Sequence, residues 1–283
     1  MRKTLIALGA VLVLALGGAG VWFLQKEASP ARTAEAPSDL TSFKDWAVVL
    51  VAGDYRAHSG APSKVFDNAR HDLAADFARI GFSKANMVQF SADYDDGTRH
   101  TGIPDIAGAL HETAARAKSG CLIYFTSHGV PTGIIIGDGV LGPEQLRDMV
   151  NSACGKRPSV VVMSSCYSGQ FVAPLKGENR IIMTASRPDR TSFGCGELDH
   201  YTFFDDCFLR AMDISGDFPG LGVGVQECVR VREQQMKASP PSEPQVNVGP
   251  NVAFGLKWRD MPPSSPFDNS PGGGDVPADR PPT

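Results

Sequence analysis

A cysteine and a histidine each stand directly after an apolar run of strand length. His128 follows the run CLIYFT at residues 121–126, and Cys166 follows shortly after the run VVVM at residues 160–163. A thiol is a modest nucleophile at neutral pH, and a nearby imidazole raises its thiolate fraction. These residue types therefore predict nucleophilic catalysis by Cys166 with the help of His128.

This chemistry requires the two strands to be neighbours. The carboxyl ends of adjacent parallel strands meet at one edge of a sheet, about 4.8 Å apart. The backbone N–H groups of Gly129 and Cys166 are then candidates for an oxyanion hole, because glycine lets the chain approach a substrate closely. The alternative is that each residue is structural, since a lone cysteine is usually a small buried hydrophobe. The joint placement at equivalent strand ends favours catalysis.

Strand-like and helix-like patterns alternate along the chain. Continuous apolar strands separated by amphipathic helices are typical of a parallel sheet that is covered on both faces. The sequence therefore predicts an α/β fold, a three-layer αβα sandwich with a mostly parallel central sheet. The predicted strands are Trp46–Ala52, Met87–Phe90, Cys121–Thr126, Val160–Met163, Ile181–Thr184 and an edge strand Gln245–Val248, and the predicted helices are Asp67–Ile80, Ile103–Lys118, Pro143–Val150 and Gly220–Lys237, with a hairpin turn at Gly137-Asp138-Gly139.

The ends of the chain differ in character from its middle. Arg2 and Lys3 precede an uncharged run from Leu5 to Leu24, which is long enough as a helix to span about 30 Å of hydrocarbon. Residues 1–27 are predicted to be an uncleaved signal-anchor, with the rest of the chain outside the cytoplasm, in the periplasm or a similar space. The alternative is a signal peptide that is cleaved to release a secreted protein. Residues 28–42 are predicted to be a tether, 43–258 the folded domain, and 259–283 a disordered tail rich in Pro and Gly.

Composition narrows the class of function. A hydrophobic content of 42% supports a real core, and a net charge of −4 provides no basic field for neutralising the phosphates of nucleic acid. The six cysteines form no C-x-x-C motif, and no histidine pair has metal-ligand spacing. We therefore predict no nucleic-acid partner, no metal and no other cofactor, while the oligomeric state stays open.

Several segments together resemble the legumain-type C13 cysteine peptidases of the caspase-like clan. The resemblance implies a caspase-like fold in which Cys166 is the nucleophile and His128 the general acid and base. It also implies that Asn68 orients the imidazole as the third member of a triad, although Asn68 could instead cap the helix that begins nearby. The segments lie in order within residues 46–255 and are 68–72 (NARHD), 127–129 (SHG), 165–169 (SCYSG), 184–186 (TAS), 191–195 (TSFGC) and 201–206 (YTFFDD).

The same resemblance implies a specificity pocket for P1, the residue before the scissile bond. Arg70 and Asp206 would read a side-chain amide from both ends, with a hydroxyl group supplied by Thr191 or Ser192, which gives a preference for Asn or Asp. The alternative for Arg70 and Asp206 is an ordinary ion pair. A preference for Arg or Lys would instead indicate an acidic floor made by Asp205 and Asp206.

Two positions depart from the legumain pattern. Tyr167 stands where legumains carry a glutamate directly after the nucleophile, and Ser127 stands where they carry an aspartate directly before the histidine. Tyr167 is therefore expected to line the P1 pocket, which would carry one negative charge fewer than the pocket of legumains. Ser127 weakens the case for the peptide-ligase side activity that is linked to that aspartate.

The remaining cysteines and histidines are given structural roles. Cys121 is expected to be an inert core residue, and Cys195 is expected to form a disulfide with Cys207 or Cys228 if it forms one. His71 is the second candidate for a role near the pocket.

The sequence thus predicts a membrane-tethered cysteine endopeptidase that acts on protein or peptide substrates through a thioester. Two alternatives stay open. One is a transamidase or ligase that uses the same site, and the other is a caspase-like module that binds peptides without cleaving them.

Overall fold

The computed structural model describes residues 40–93 and 99–260, and side chains are described for all of them except residues 99 and 100. The predicted anchor, most of the predicted tether and nearly all of the predicted tail lie outside these residues. Within the described ranges, every helix is too short or too polar to cross a membrane.

The central sheet has seven strands in the order β10-β9-β8-β4-β1-β2-β3. Only β10 runs antiparallel to its neighbour, and the other pairs are parallel. The predicted parallel strands therefore form one sheet, with β10 as the predicted edge strand. Their bounds are β1 Trp46–Ala52, β2 Met87–Ser91, β3 Arg99–His100, β4 Gly120–Thr126, β8 Ser159–Ser164, β9 Arg180–Thr184 and β10 Gln245–Val248.

A second, smaller sheet follows β4 in the chain. It is an antiparallel meander of β5 Gly129–Val130, β6 Gly133–Ile136 and β7 Gly139–Leu141. The predicted hairpin turn at Gly137 joins its last two strands, and Gly137 has a φ of 58°, which suits glycine. This small sheet begins directly after His128.

Helices cover both faces of the central sheet. Phe77 of α1, Phe208 of α5 and Val225 of α6 pack against one face, whereas Leu110 of α2 and Val150 of α3 pack against the other. The predicted three-layer αβα sandwich is therefore confirmed. The helices are α1 Val65–Arg79, α2 Ile103–Arg116, α3 Pro143–Cys154, the single turn α4 Val172–Leu175, α5 Phe203–Ile214 and α6 Phe218–Met236.

Two disulfides join elements that the sequence did not pair. Cys121 on β4 is bonded to Cys154 at the end of α3, and Cys207 on α5 is bonded to Cys228 on α6. The predictions of an inert Cys121 and of a bridging Cys195 were therefore wrong. Both bridges join elements that become adjacent only when the layers pack, so spacing along the chain does not reveal them. Cys166 and Cys195 remain as free thiols.

Candidate active site

The ends of β4 and β8 bring His128 and Cys166 to one edge of the sheet. Thr126 pairs with Ser164, and the Ser127 N–H continues the ladder by donating to the Ser164 carbonyl oxygen at 3.1 Å. His128 and Cys166 each stand two residues beyond this last pair. Both residues are half-buried, so a substrate can reach them.

The imidazole of His128 is held by a backbone carbonyl and an aromatic ring. Its Nε2 lies 2.9 Å from the carbonyl oxygen of Arg56, and the ring meets Phe66 edge-on with centroids 5.0 Å apart. Because a carbonyl oxygen only accepts hydrogen bonds, Nε2 must carry the proton. In the neutral ring, Nδ1 is therefore the free basic nitrogen.

Asn68 does not contact His128, contrary to the role that the family resemblance implied. Its side-chain amide lies 3.1 Å from both Nδ1 and the carbonyl oxygen of His200. It does not cap a helix either, because α1 begins at Val65 and places Asn68 inside its first turns. The amide instead ties α1 to the loop before α5.

The sulfur of Cys166 rests against the segment around Ser192. The Ser192 N–H donates to the sulfur at 3.3 Å, and the Ser192 hydroxyl lies 3.7 Å from it. A thiolate accepts such a hydrogen bond more strongly than a neutral thiol does. The next residue, Tyr167, has a φ of 57°, and its N–H donates to the Arg190 carbonyl oxygen at 2.8 Å. This left-handed turn bends the chain sharply after the nucleophile. Thr191, which lies between these contacts, is exposed.

The backbone N–H groups of Gly129 and Cys166, the predicted oxyanion-hole donors, lie at this edge of the sheet. Gly129 faces Ile134 at a position of the β5–β6 pair that makes no ladder hydrogen bond, because the neighbouring Ile135 N–H bonds to the His128 carbonyl oxygen. The N–H of Gly129 therefore points away from β6. The N–H of Cys166 donates no hydrogen bond within the described part of the chain. A Cβ at position 129 would collide with the carbonyl oxygen of Cys166, so glycine is required there.

Arg70 does not line an open pocket. It is 2% exposed, its Nε donates to Asp67 at 2.8 Å, and its Nη1 donates to Gln89 on β2. Asp206 is bound to Arg210 and Arg232 instead of to Arg70. Arg70 and Asp206 therefore have different partners, because α1 and α5 present these side chains to different neighbours, and their reading of a P1 amide from both ends stays a prediction.

Asp205 lies beneath the site, inside the core. It is fully buried and accepts hydrogen bonds from the Tyr124 hydroxyl at 2.7 Å and the Thr126 hydroxyl at 2.6 Å. Burial raises the pKa of the Asp205 carboxyl, although these hydrogen bonds oppose the shift. Asp205 therefore does not form the acidic floor that was considered for basic substrates. It fixes α5 to the end of β4.

His71 lies on the exposed side of α1, where its Nδ1 contacts Asp72 at 2.9 Å. It contributes nothing to the catalytic edge. The second free thiol, Cys195, packs against a small apolar cluster of Ala52, Val65 and Phe66. Burial and the negative charge of a Cys166 thiolate raise the pKa of Cys195 to about 11, so its thiol is protonated at neutral pH.

The sequence analysis overlooked a cavity beside His128. It measures about 220 Å³, and its lining includes Asp54, Arg56 and Asp138. The Arg56 guanidinium forms two hydrogen bonds with the Asp54 carboxylate, at 2.9 and 3.1 Å, and this partner raises the Arg56 pKa. Asp54 and Arg56 follow β1 as His128 follows β4, so their position after a strand was a signal that could have revealed them.

Comparison with known proteins gives a family match and a structural neighbour. Residues 107–217 match the Peptidase C13 family, and this range includes His128 and Cys166. The crystal structure of caspase-1 from Spodoptera frugiperda aligns with a TM-score of 0.55 and 13% sequence identity, covering 76% of this chain and 91% of that chain. The fold is therefore caspase-like, and the segment that resembles the C13 family is the one that carries His128 and Cys166. The resemblance to the C13 peptidases is thereby confirmed.

A curated relative matches over a short stretch. The putative pyruvate, phosphate dikinase regulatory protein of Bartonella quintana (strain Toulouse) is 26% identical over 99 residues. The match covers 35% of this chain and spans about a third, 34%, of the relative's own length. The activity stated in that name is the activity of the relative.

Proposed function

We propose that this protein is a cysteine endopeptidase that uses Cys166 and His128. The observation that carries the proposal is the shared edge of β4 and β8, where a free, accessible thiol and an imidazole with a fixed tautomer follow adjacent strands. Peptide bonds of proteins are the substrate class, in keeping with the family match.

In the first step, the Cys166 sulfur attacks the carbonyl carbon of the scissile peptide. The carbonyl oxygen becomes an oxyanion that the N–H groups of Gly129 and Cys166 stabilise. The imidazole takes the thiol proton on Nδ1 and delivers it to the departing amine, so the C–N bond breaks and a thioester remains. Water then adds to the thioester carbonyl carbon while Nδ1 takes its proton. The resulting tetrahedral intermediate breaks its C–S bond, which releases the acid, and the proton returns to the sulfur to restore the thiol.

The Arg56 carbonyl oxygen stabilises the imidazolium in this scheme. It accepts a hydrogen bond from the Nε2–H at 2.9 Å in both charge states of the ring. The ring therefore stays aligned while Nδ1 gains and loses a proton. Phe66 restricts the tilt of the ring from the other side.

The P1 preference for Asn or Asp remains part of the proposal, and residues near the catalytic edge other than Arg70 and Asp206 can contribute to it. The Arg56 guanidinium lines the cavity beside the catalytic edge and can donate to a small amide or carboxylate, while the buried Asp54 carboxylate holds it in place. The Ser192 hydroxyl lies 3.7 Å from the sulfur, and the exposed Thr191 precedes it in the chain, so both are proposed to supply hydroxyl groups to the P1 residue. Tyr167 adds no charge to this site.

The cellular location is also proposed. The uncharged run from Leu5 to Leu24 would anchor the protein in a membrane, with the domain in the periplasm or a similar space. The two disulfides support this location, because such bonds persist in oxidising compartments.

A positional-scanning peptide library, run on the wild-type protein and on Cys166→Ala, tests the activity and its preference together. We expect cleavage after Asn or Asp by the wild type and none by the variant. Cleavage that persists in Cys166→Ala would refute the mechanism, and cleavage only after Arg or Lys would refute the P1 preference. Adding an amine acceptor and weighing the products separates hydrolysis from transamidation.

A further inference from the structure

A second cavity lies at the opposite edge of the sheet. It measures about 240 Å³ and adjoins the first residues of β8 and β9. Strand β8 rises by about 3.3 Å per residue, which puts roughly 20 Å between this cavity and the edge that carries Cys166. The cavity is therefore separate from the catalytic site. It is lined by Asn151, Gly155, Lys156, Arg157, Lys176 and residues 177–180.

Positive charge dominates this cavity. Four of its lining residues are cationic and a single one, Glu178, is acidic. Within the described ranges, Lys156, Lys176 and Arg180 form no ion pair with a carboxylate. The Arg157 guanidinium is used structurally, because it donates to backbone carbonyls at the ends of α2 and α3. Two flexible lysines and one fixed arginine thus remain for a ligand.

Arg180 is the unusual member of this set. It is 7% exposed, and it donates to the Leu175 carbonyl oxygen at 2.8 Å and to the Asn151 side chain at 3.1 Å. Its Nε has no hydrogen-bond partner within the described residues. Burial lowers the Arg180 pKa because no carboxylate offsets the cost of removing the charge from water. A buried cation without a counter-charge is the feature that an anionic ligand would relieve.

The walls of the cavity are held in place by hydrogen bonds. The Asn179 amide donates to the Lys156 carbonyl oxygen at 2.8 Å, and the Asn251 amide donates to the Asn179 side-chain oxygen at 2.8 Å. These bonds connect the turn after α3 to the segment after β10. A ligand would therefore find the site formed before it binds, which lowers the entropy cost of binding.

From this geometry we infer a binding site for a phosphate group, held by Arg180, Lys156 and Lys176. The three cations together with the Glu178 carboxylate leave a net positive charge that a phosphate dianion neutralises. A single carboxylate would leave part of this positive charge unneutralised. Guanidinium and ammonium groups are the usual donors to phosphate oxygens. The peptidase mechanism uses none of these residues, so the site adds a function to the fold.

Calorimetric titration of the full-length Cys166→Ala protein tests this inference without depending on proteolysis. The probes are inorganic phosphate, glycerol phosphate and acetate, at constant chloride concentration. We expect both phosphates to bind at one site and acetate to bind at least about tenfold more weakly. Equal binding of the two phosphates identifies the phosphate group itself as the ligand, and preference for one of them identifies its source.

The decisive variant is Lys156→Ala/Lys176→Ala, which changes two exposed side chains and leaves the buried residues intact. It should bind phosphate at least about tenfold more weakly. The matched control, Lys84→Ala/Lys118→Ala, removes the same charge from exposed positions elsewhere and should bind as the parent does. Unchanged affinity in the first variant, equal loss in both variants, or acetate binding as tight as phosphate binding would overturn the inference.

Discussion

The Nε2 of His128 donates a hydrogen bond to the backbone carbonyl oxygen of Arg56 over 2.9 Å. The orienting group is therefore part of the main chain and survives any side-chain substitution at position 56. The expected third member of a triad, Asn68, is bonded to His200 instead. A His128 ring oriented by the Arg56 main chain and one oriented by the Asn68 side chain predict opposite effects of replacing Asn68.

Asn68→Ala should leave hydrolysis nearly intact, with kcat lowered by less than about threefold. Among the described residues, the Asn68 amide is hydrogen-bonded to His200, whereas the tautomer of His128 is set by the Arg56 carbonyl oxygen. His200→Ala removes the other partner of this contact and serves as the matched control. Steady-state kinetics of both variants check the prediction. A loss in Asn68→Ala of about a thousandfold, unmatched in His200→Ala, would restore Asn68 as a triad member.

The two free thiols should differ sharply in reactivity. Cys166 is accessible and accepts the Ser192 N–H, whereas the Cys195 pKa of about 11 keeps that thiol protonated at neutral pH. Iodoacetamide at about pH 7 should therefore label one site, which is lost in Cys166→Ala and kept in Cys195→Ala. Labelling of Cys195 should appear only as the pH is raised toward its pKa. Mass spectrometry of the labelled peptides reads both outcomes, and preferential labelling of Cys195 near neutral pH would contradict this account.

The central strands and the layers around them were predictable because β1, β4, β8 and β9 each contain a continuous apolar run between polar turns. For the same reason, the edge that carries His128 and Cys166 could be named before its geometry was known. Helix α5 was not predicted, although Thr202 caps it by accepting the Asp205 N–H at 3.1 Å. Two of its nine buried residues are the aspartates Asp205 and Asp206, so charged residues stand on its buried side and obscure the apolar pattern that would predict a helix.

Side-chain partners were the part that sequence could not supply. Arg70 and Asp206 occupy the positions of the family motif, yet one faces β2 and the other faces Arg232 on α6. Which way a helix turns a charged residue depends on its packing in three dimensions. The same holds for Cys121 and Cys154, which come together across the layer between β4 and α3.

Gly129→Ala should strongly reduce the rate of hydrolysis. The added methyl group would collide with the Cys166 carbonyl oxygen and push apart the two N–H groups proposed for the oxyanion hole. We expect kcat to fall by about a hundredfold or more. The matched control is Gly108→Ala, which lies within α2 with no atom near the new methyl group and should be as active as the wild type. Near-normal turnover by Gly129→Ala would exclude this oxyanion hole.

Reduction of the disulfides should destabilise the domain without removing a catalytic group. The Cys207–Cys228 bridge closes a loop with a sequence separation of 21 residues. Its loss, in Cys207→Ala/Cys228→Ala, should lower the free energy of unfolding by about 3 kcal/mol. Urea unfolding with and without reductant measures the effect. In the variant, reductant should still lower the urea midpoint, because it breaks the Cys121–Cys154 bridge. A midpoint that reductant leaves unchanged in both the wild type and the variant would show that neither bridge forms.

Asp205 should make the stability of the domain depend on pH. Burial raises the pKa of its carboxyl above the ordinary value of 3.8, so the folded protein holds this proton more tightly than the unfolded chain does. Between 3.8 and the raised pKa, the folded state therefore binds more protons, and its free energy of unfolding falls as the pH rises. This contribution is complete below the unfolded pKa and is lost above the folded one.

Asp205→Asn isolates this effect, because the amide has nearly the same shape and does not titrate in this range. Urea unfolding of both proteins from about pH 4 to about pH 8 should show a shallower decline in the variant. Asp205→Ala should instead lose about 2–4 kcal/mol throughout, because the hydroxyl groups of Tyr124 and Thr126 lose their buried acceptor. Parallel profiles for wild type and Asp205→Asn would mean that the carboxyl is ionised in the folded core, held there by its hydrogen bonds against the cost of burial.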